Sequence, residues 1–301
     1  MNFIDLHKKS WQWILLIFLA FIWGTSFILM KRGMESFSHY QVAALRMFIS
    51  FLFFIPFIIR NIKDLKRKYL KSLLLVGFLG NAFPAFLYTT AQTEISSSLA
   101  GILNSLTPIF TLILGVLMYR EKTRWINISG LIIGLIGAAG LVVKDFSMFF
   151  VGNNWYGLFA VIATLMYGFT MNEIKYNLKE IGGVAISALA FLMVGPICGI
   201  YLLTTDFSAV TATPHWELNL FYVGMLAFLS SFIAVIGMNV LLKYTSAIFV
   251  ASVTYVIPIF AIFWGVFDGE RLNILDFAWM AVVMVGVYLI NKKSEKLKTK
   301  S

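Results

Sequence analysis

Polar side chains set inside apolar runs are the groups in this sequence that could do chemistry, because hydrocarbon tolerates them only where they face protein or water. Asn104, Thr107, Pro108, Thr111 and Gly115 recur at steps of three and four, which places them on one face of a helix. Asn81, Pro84, Tyr88 and Gln92 repeat the arrangement in the preceding run. Trp23 with Ser26, Tyr167 with Thr170, Ser231 with Asn239, and Thr254 with Tyr255 bring amide, hydroxyl and aromatic groups from four further runs. Uncharged groups of this kind bind and release a small organic solute; they do not make or break its bonds. Hydrogen bonding between helices competes as an explanation, and at about 0.6 kcal/mol on average in membranes it suffices for any single Ser or Thr. Their collection in six runs favours a shared cavity. The candidate solute contacts are Trp23, Ser26, Asn81, Tyr88, Gln92, Asn104, Thr107, Tyr167, Thr170, Asn239, Thr254 and Tyr255.

Arg46 stands just inside the second run, where a charge costs roughly 2.5–3.5 kcal/mol at full depth and less near the interface. It has two readings. It either snorkels to headgroups or helix-end carbonyls, or it anchors an anionic or zwitterionic solute. Pro108 and Pro258 each remove a backbone donor and crowd the carbonyl four residues earlier. The carbonyls of Asn104 and Thr254 are thereby freed at mid-run, either as ligand contacts or as by-products of a bend that shapes the bundle.

Enzyme chemistry finds no purchase here. Paired buried aspartates are lacking: Asp5, Asp64, Asp145, Asp206 and Asp268 fall in loops or tails, and Asp276 at the edge of a run. The sequence holds no HExxH, no GxSxG and no GxxxxGK[ST], so metal, serine-nucleophile and nucleotide motifs are absent, and no catalytic residue, metal site or cofactor is expected. One cysteine, Cys198, excludes an internal disulfide, and His7, His39 and His215 are scattered. No ring of charges or filter signature suggests a channel.

The elements that must position these groups follow from composition. The chain is 60% apolar and 13% charged, against about 45–50% and about 25% in soluble domains. Apolar runs cover about 12–30, 41–59, 72–92, 97–118, 125–143, 155–174, 183–204, 218–242, 247–267 and 274–291. Each approaches the ~20 residues that cross a bilayer. The first follows His7-Lys8-Lys9 but is too long for a signal-peptide core and lacks a clear cleavage site, so it counts as a span. With the N-terminus inside, Lys31, Arg32, Lys144 and Arg271 are the basic residues in outer loops, and Arg46 lies within a span. The rest of the 24 lysines and arginines are cytoplasmic, so both termini are expected there. The +10 charge thus reflects membrane orientation rather than nucleic-acid binding.

The chain is also duplicated. SSLAGILNSLTPIFTLILGVLMYRE (Ser97–Glu121) is echoed by AIFVASVTYVIPIFAIFWGVFDGE (Ala247–Glu270). Pro108, Ile109, Phe110, Gly115 and Val116 fall on Pro258, Ile259, Phe260, Gly265 and Val266, and Glu121 and Gly137 on Glu270 and Gly286. Five spans per copy is an odd number, so the second copy enters the membrane inverted, a plan of secondary transporters with the substrate site at mid-membrane. The copies are placed at 1–146 and 147–301, joined by the loop from Lys144 to Asn154. Gly130 and Gly134 form a GxxxG step that suits either a dimer face or packing within one chain, so a monomer or homodimer is expected.

FIWGTSFILMK (Phe21–Lys31), AALR (Ala43–Arg46), SLAGILNSLTPIFTLILG (Ser98–Gly115) and the later Glu121 resemble the EamA type of the drug/metabolite transporter superfamily over nearly the whole chain. The resemblance implies an all-helical, ten-span, inverted-repeat permease of a bacterial inner membrane, often exporting amino acids or other small metabolites. The expected function is therefore a secondary transporter of a small organic solute. A membrane-embedded enzyme or lipid flippase-like factor on the same fold is the alternative. Glu94, Glu173 and Asp276 stand at span ends, and Glu121 and Glu270 cap turns, where helix-end donors or basic neighbours such as Arg124 and Arg271 would hold them. No carboxylate at mid-span is expected to drive proton coupling, which points to a facilitator or solute exchanger; Glu94 is the residue most able to reach the outer vestibule.

Overall fold

The computed structural model describes residues 5–95, 97–142, 154–267 and 274–290. These residues are all-helical, with no strand among them. We label the apolar helices α1 (Lys9–Gly33), α2 (His39–Asn61), α3 (Arg67–Ala91), α4 (Ser97–Asn104 and Thr107–Tyr119) and α5 (Trp125–Val142). There follow α6 (Gly157–Asn177), α7 (Gly183–Leu203), α8 (Trp216–Tyr244), α9 (Ala247–Ala251 and Val253–Phe267) and α10 (Ile274–Ile290). Among the described residues, α1, α2, α3, α6, α7 and α8 are long and apolar enough to cross a membrane. The others are apolar but shorter, or divided. Lys144, Asp145, Asp268, Glu270, Arg271 and the lysine-rich tail lie outside the described residues.

Local chemistry sets the ends and breaks of these helices. Ser38 and Gln41 close a reciprocal cap on α2: Gln41 N–H donates to Ser38 Oγ at 3.2 Å and Ser38 N–H to Gln41 Oε1 at 3.0 Å. The run expected as a single helix over 97–118 is broken after Asn104, just ahead of Pro108, because proline at the second helical position cannot continue the bonding of the turn before it. The run over 247–267 breaks at Ser252, and Pro258 lies within the second piece. A π-bulge interrupts α3 at Phe78–Ala82 and another interrupts α8 at Ala227–Ile233; such bulges concentrate at functional sites.

The helices pack as a two-fold set. α5 lies against α10 and α2 against α7, while the contact of α1 with α9 is repeated by α6 with α4. Likewise α3 meets α7 as α8 meets α2, and α3 meets α6 as α8 meets α1. Exchanging each helix for the one five places on leaves this pairing unchanged. α5 and α10 approach backbone to backbone: a Cβ on Gly286 would lie 2.4 Å from Gly134 N, and one on Gly130 would lie 2.8 Å from the Gly286 carbonyl oxygen. The GxxxG step is thus covered within the same chain, Gly130 by α10 and Gly134 by the backbone of α10 and the Tyr255 ring of α9. Between α2 and α7, Phe54 stacks on Phe191 at 4.8 Å and meets Phe232 of α8 edge-on at 4.7 Å.

Candidate solute-binding site

A cavity of about 980 Å³ of atom-free space, counted out through its mouth, opens between α1, α2, α3, α4, α6, α8 and α9. Trp23, Ser26, Arg46, Asn81, Tyr88, Asn104, Thr107, Tyr167, Thr170, Asn239 and Thr254 all line it. Spacing within apolar runs therefore brought eleven dispersed side chains to one place.

Both bulges supply the cavity wall. In α3 the bulge turns Asn81 inward, and its Nδ2 donates to the Val76 carbonyl at 3.0 Å. In α8 it frees the Ser230 carbonyl to accept from Trp23 Nε1 at 3.2 Å, and the Ala227 carbonyl to accept from Ser50 Oγ at 3.0 Å. Tyr88 donates its hydroxyl to Asn104 Oδ1 at 3.0 Å, and its ring stacks on Tyr167 with centroids 6.2 Å apart at 17°. Asn239 Nδ2 donates to Ser187 Oγ at 2.9 Å.

Arg46 is the charged residue among those lining the cavity. Its Nε donates to Ser231 Oγ at 2.6 Å, across the bundle in the bulge of α8, and so it turns inward rather than to headgroups. One fixed cation amid neutral donors, acceptors and rings suits a solute with an anionic group and an apolar or planar body.

Two expected contacts lie elsewhere. Tyr255 is fully buried, donates to the Leu131 carbonyl at 3.0 Å and packs on Gly134, where it joins α9 to α5. It follows Thr254 directly, and successive helical residues cannot face the same side. Gln92 caps the end of α3, half-buried and outside the lining. The prolines shape the helices without leaving carbonyls for a ligand. Thr107 Oγ1 donates to the freed Asn104 carbonyl at 2.7 Å, and Ser105 Oγ donates to that of Thr254 at 3.3 Å. Glu94 is exposed in the turn after α3.

Other lining residues went unread. Met30, Met47, Met171 and Met238 supply a soft, adaptable wall, and in an apolar helix nothing in the sequence distinguishes them from lipid-facing residues. Towards the end of α6 that carries Asn177, Glu173 is buried and accepts from Ser72 Oγ at 2.5 Å, Tyr119 Oη at 2.5 Å and Asn177 Nδ2 at 2.8 Å. Beyond α6, Lys68 Nζ meets Glu180 Oε2 at 2.7 Å and Tyr69 Oη donates to the same oxygen. These donors hold the Glu180 carboxyl down to about 2.

The EamA-like transporter family matches this chain twice, over residues 11–143 and 154–292. The chain belongs to that family. It is similar to a protein named as a transporter in Archaeoglobus fulgidus, 25% identical over 94% of this chain and 99% of that one. It also resembles the Escherichia coli inner membrane transporter YedA, 26% identical over 90% of this chain and 88% of YedA. A protein named S-adenosylmethionine/S-adenosylhomocysteine transporter in Chlamydia trachomatis is 26% identical over 84% of this chain and 80% of that one. One solved crystal structure shares the fold, with a TM-score of 0.74 at 15% identity over 94% of this chain and 96% of the other. This EamA-like chain is a multi-pass membrane transporter and not an enzyme.

Proposed function

We propose that this protein is an inner-membrane secondary transporter, working chiefly as an exporter, that moves a small organic solute carrying a carboxylate. Amino acids and their conjugates are the solute class. Ten spans form two inverted copies, 1–146 and 147–301, with both termini cytoplasmic, and the solute binds at mid-membrane between them. Alternating access follows from the symmetry: two similar halves of opposite orientation can exchange conformations at comparable energy.

The observation that carries this reading is Arg46, a lone cation turned into a cavity otherwise lined by neutral groups. A carboxylate placed there gains a charge-assisted bond, worth roughly 1.5–3 kcal/mol, that an organic cation lacks. The adjoining Tyr88–Tyr167 pair and the methionines then accept the remainder of the solute. The name of the chlamydial relatives is compatible with a solute that has an amino-acid head.

Proteoliposomes holding the purified chain test the reading. Labelled amino acids and related carboxylates should equilibrate across the membrane, down their own gradients, and unlabelled carboxylates should compete while organic cations do not. Equal competition by cations, or flux no faster than in empty liposomes for every carboxylate tried, would overturn it.

A further inference from the structure

At the end of α4 that carries Tyr119, two buried oxygens border the same small space without a hydrogen-bond donor. Arg120 takes a left-handed conformation, φ 55°, and turns the chain so that the Glu121 N–H donates to the Gly115 carbonyl at 3.0 Å. The carboxylate is thereby folded back against Gly115 instead of reaching the exposed Arg124. A Cβ on Gly115 would lie 2.8 Å from Glu121 Oε2 and 3.0 Å from Asn172 Oδ1 of α6, so both oxygens converge on the space that glycine leaves. Each is buried and neither has a partner among the described residues.

The orientation of Asn172 is not free. Its Nδ2 donates to the Thr111 carbonyl at 2.8 Å and to the Gly168 carbonyl at 2.9 Å, and reversing the amide would set its oxygen against two acceptors. Oδ1 must therefore point into the space beside Gly115 that Glu121 Oε2 also borders. An ionised carboxylate beside an amide oxygen is costly on both sides when both atoms are buried. One proton on Oε2 removes the charge and supplies the donor that Oδ1 lacks.

We infer that Glu121 binds a proton, donates it to Asn172, and so latches α4 of the first copy to α6 of the second at the cytoplasmic end of the bundle. The pocket's consequence for gating rests on the topology and alternating access proposed above; the bound proton itself does not. Burial pushes the Glu121 carboxyl up, against the opposing influence of Lys175 and a bond from Tyr176. Those two face Glu121 from α6, and Tyr119, stacked on Tyr176 at 5.0 Å, links the site to Glu173. Ala247–Ala251 of α9, packed on α4, brings no titratable group, and Arg120, Lys122 and Arg124 on the same loop are exposed. The proton belongs to the latched state, so acid keeps the cytoplasmic end closed and rising pH releases it. Solute flux still follows the solute gradient, with cytoplasmic pH setting how fast the inner side opens.

Two measurements on the full chain, neither needing the solute, test the latch. Infrared difference spectra of the reconstituted protein should show a carboxylic-acid carbonyl stretch at neutral pH that disappears on alkalinisation. It should be missing in Glu121→Gln and retained in Glu173→Gln. In a Cys198→Ser background, Ile174→Cys places a thiol on the cavity wall of α6, and inverted vesicles expose its cytoplasmic side to an impermeant reagent. Divided at each pH by the rate in Glu121→Gln, so that ionisation of the thiol itself cancels, labelling of the parent should accelerate with pH, by up to about tenfold per unit as one proton allows. Glu121→Gln, which keeps a donor for Asn172, should show only the rise that thiol ionisation gives. A band that survives in Glu121→Gln, or a ratio that is flat with pH, overturns the latch. Labelling that responds to replacing sodium by choline and not to pH assigns the space to a metal cation and overturns the proton.

Discussion

The α5–α10 pair and the bulged and broken helices α3, α4, α8 and α9 occupy one bundle but solve opposite problems. The first pair brings backbones into contact through Gly130, Gly134, Gly137 and Gly286, with one polar bond across the seam, from Asn127 Nδ2 to the Ile290 carbonyl at 2.6 Å. The second set interrupts its own hydrogen bonding and satisfies the freed groups with side chains: Asn81 on Val76, Trp23 on Ser230, Thr107 on Asn104, Ser105 on Thr254. Close packing holds one geometry; interruption permits a cavity and a hinge. The difference places rigidity at the fifth helices and adaptability at the third and fourth.

Breaking the rigid pair should have the largest effect. Gly286→Leu puts a Cβ 2.4 Å from Gly134 N and 2.5 Å from its Cα, and backbone cannot move aside as a side-chain tip can. We expect a loss near the upper end of the ~1–3 kcal/mol usual for overpacking, or beyond it, and little monodisperse protein on size-exclusion. A well-folded variant with normal melting would show that the glycines are not the rigid seam.

Changes at the cavity should instead spare folding and alter affinity. Arg46→Gln should fold normally and weaken apparent carboxylate affinity by about thirtyfold, the equivalent of ~2 kcal/mol for a charge-assisted bond. Arg46→Lys should recover part of it by retaining charge without the planar fork. Next in size, Tyr88→Phe removes a neutral bond to Asn104 of about 1 kcal/mol and should raise KM roughly fivefold in flux assays. Unchanged kinetics in Arg46→Gln would take the cation out of the site and leave it a structural bond to Ser231.

What the sequence made legible follows the same division. Asn81, Tyr88, Asn104 and Thr107 could be found because polar residues at helical spacing are conspicuous in apolar runs. Gly130 and Gly134 were visible as a packing step, but only the structure shows which helix fills it. The bulges were not legible, since an extra residue in a turn leaves no mark in composition. The break at Ser252 lies ahead of Pro258, so the proline signalled a disruption without locating it. Glu121 was read as a turn cap beside Arg124. Its inward fold depends on Gly115 and on the locked amide of Asn172, which meet only once α4 packs on α6.

The smallest effect is expected at Tyr255, and it tests the boundary between the two regions most sharply. Thr254 lines the cavity and Tyr255 does not, although they are adjacent in sequence, because a helix turns about 100° between them. Tyr255→Phe keeps the ring against Gly134 and removes only the 3.0 Å bond to the Leu131 carbonyl. In a membrane interior that bond is worth about 0.6 kcal/mol, a slight fall in melting temperature. This hydroxyl lies outside the cavity, so KM should remain that of the parent. A rise in KM matching that of Tyr88→Phe, with melting unchanged, would mean that α9 rotates against α5 during transport and brings Tyr255 into the cavity, so that the contact of α9 with the rigid pair belongs to the moving region.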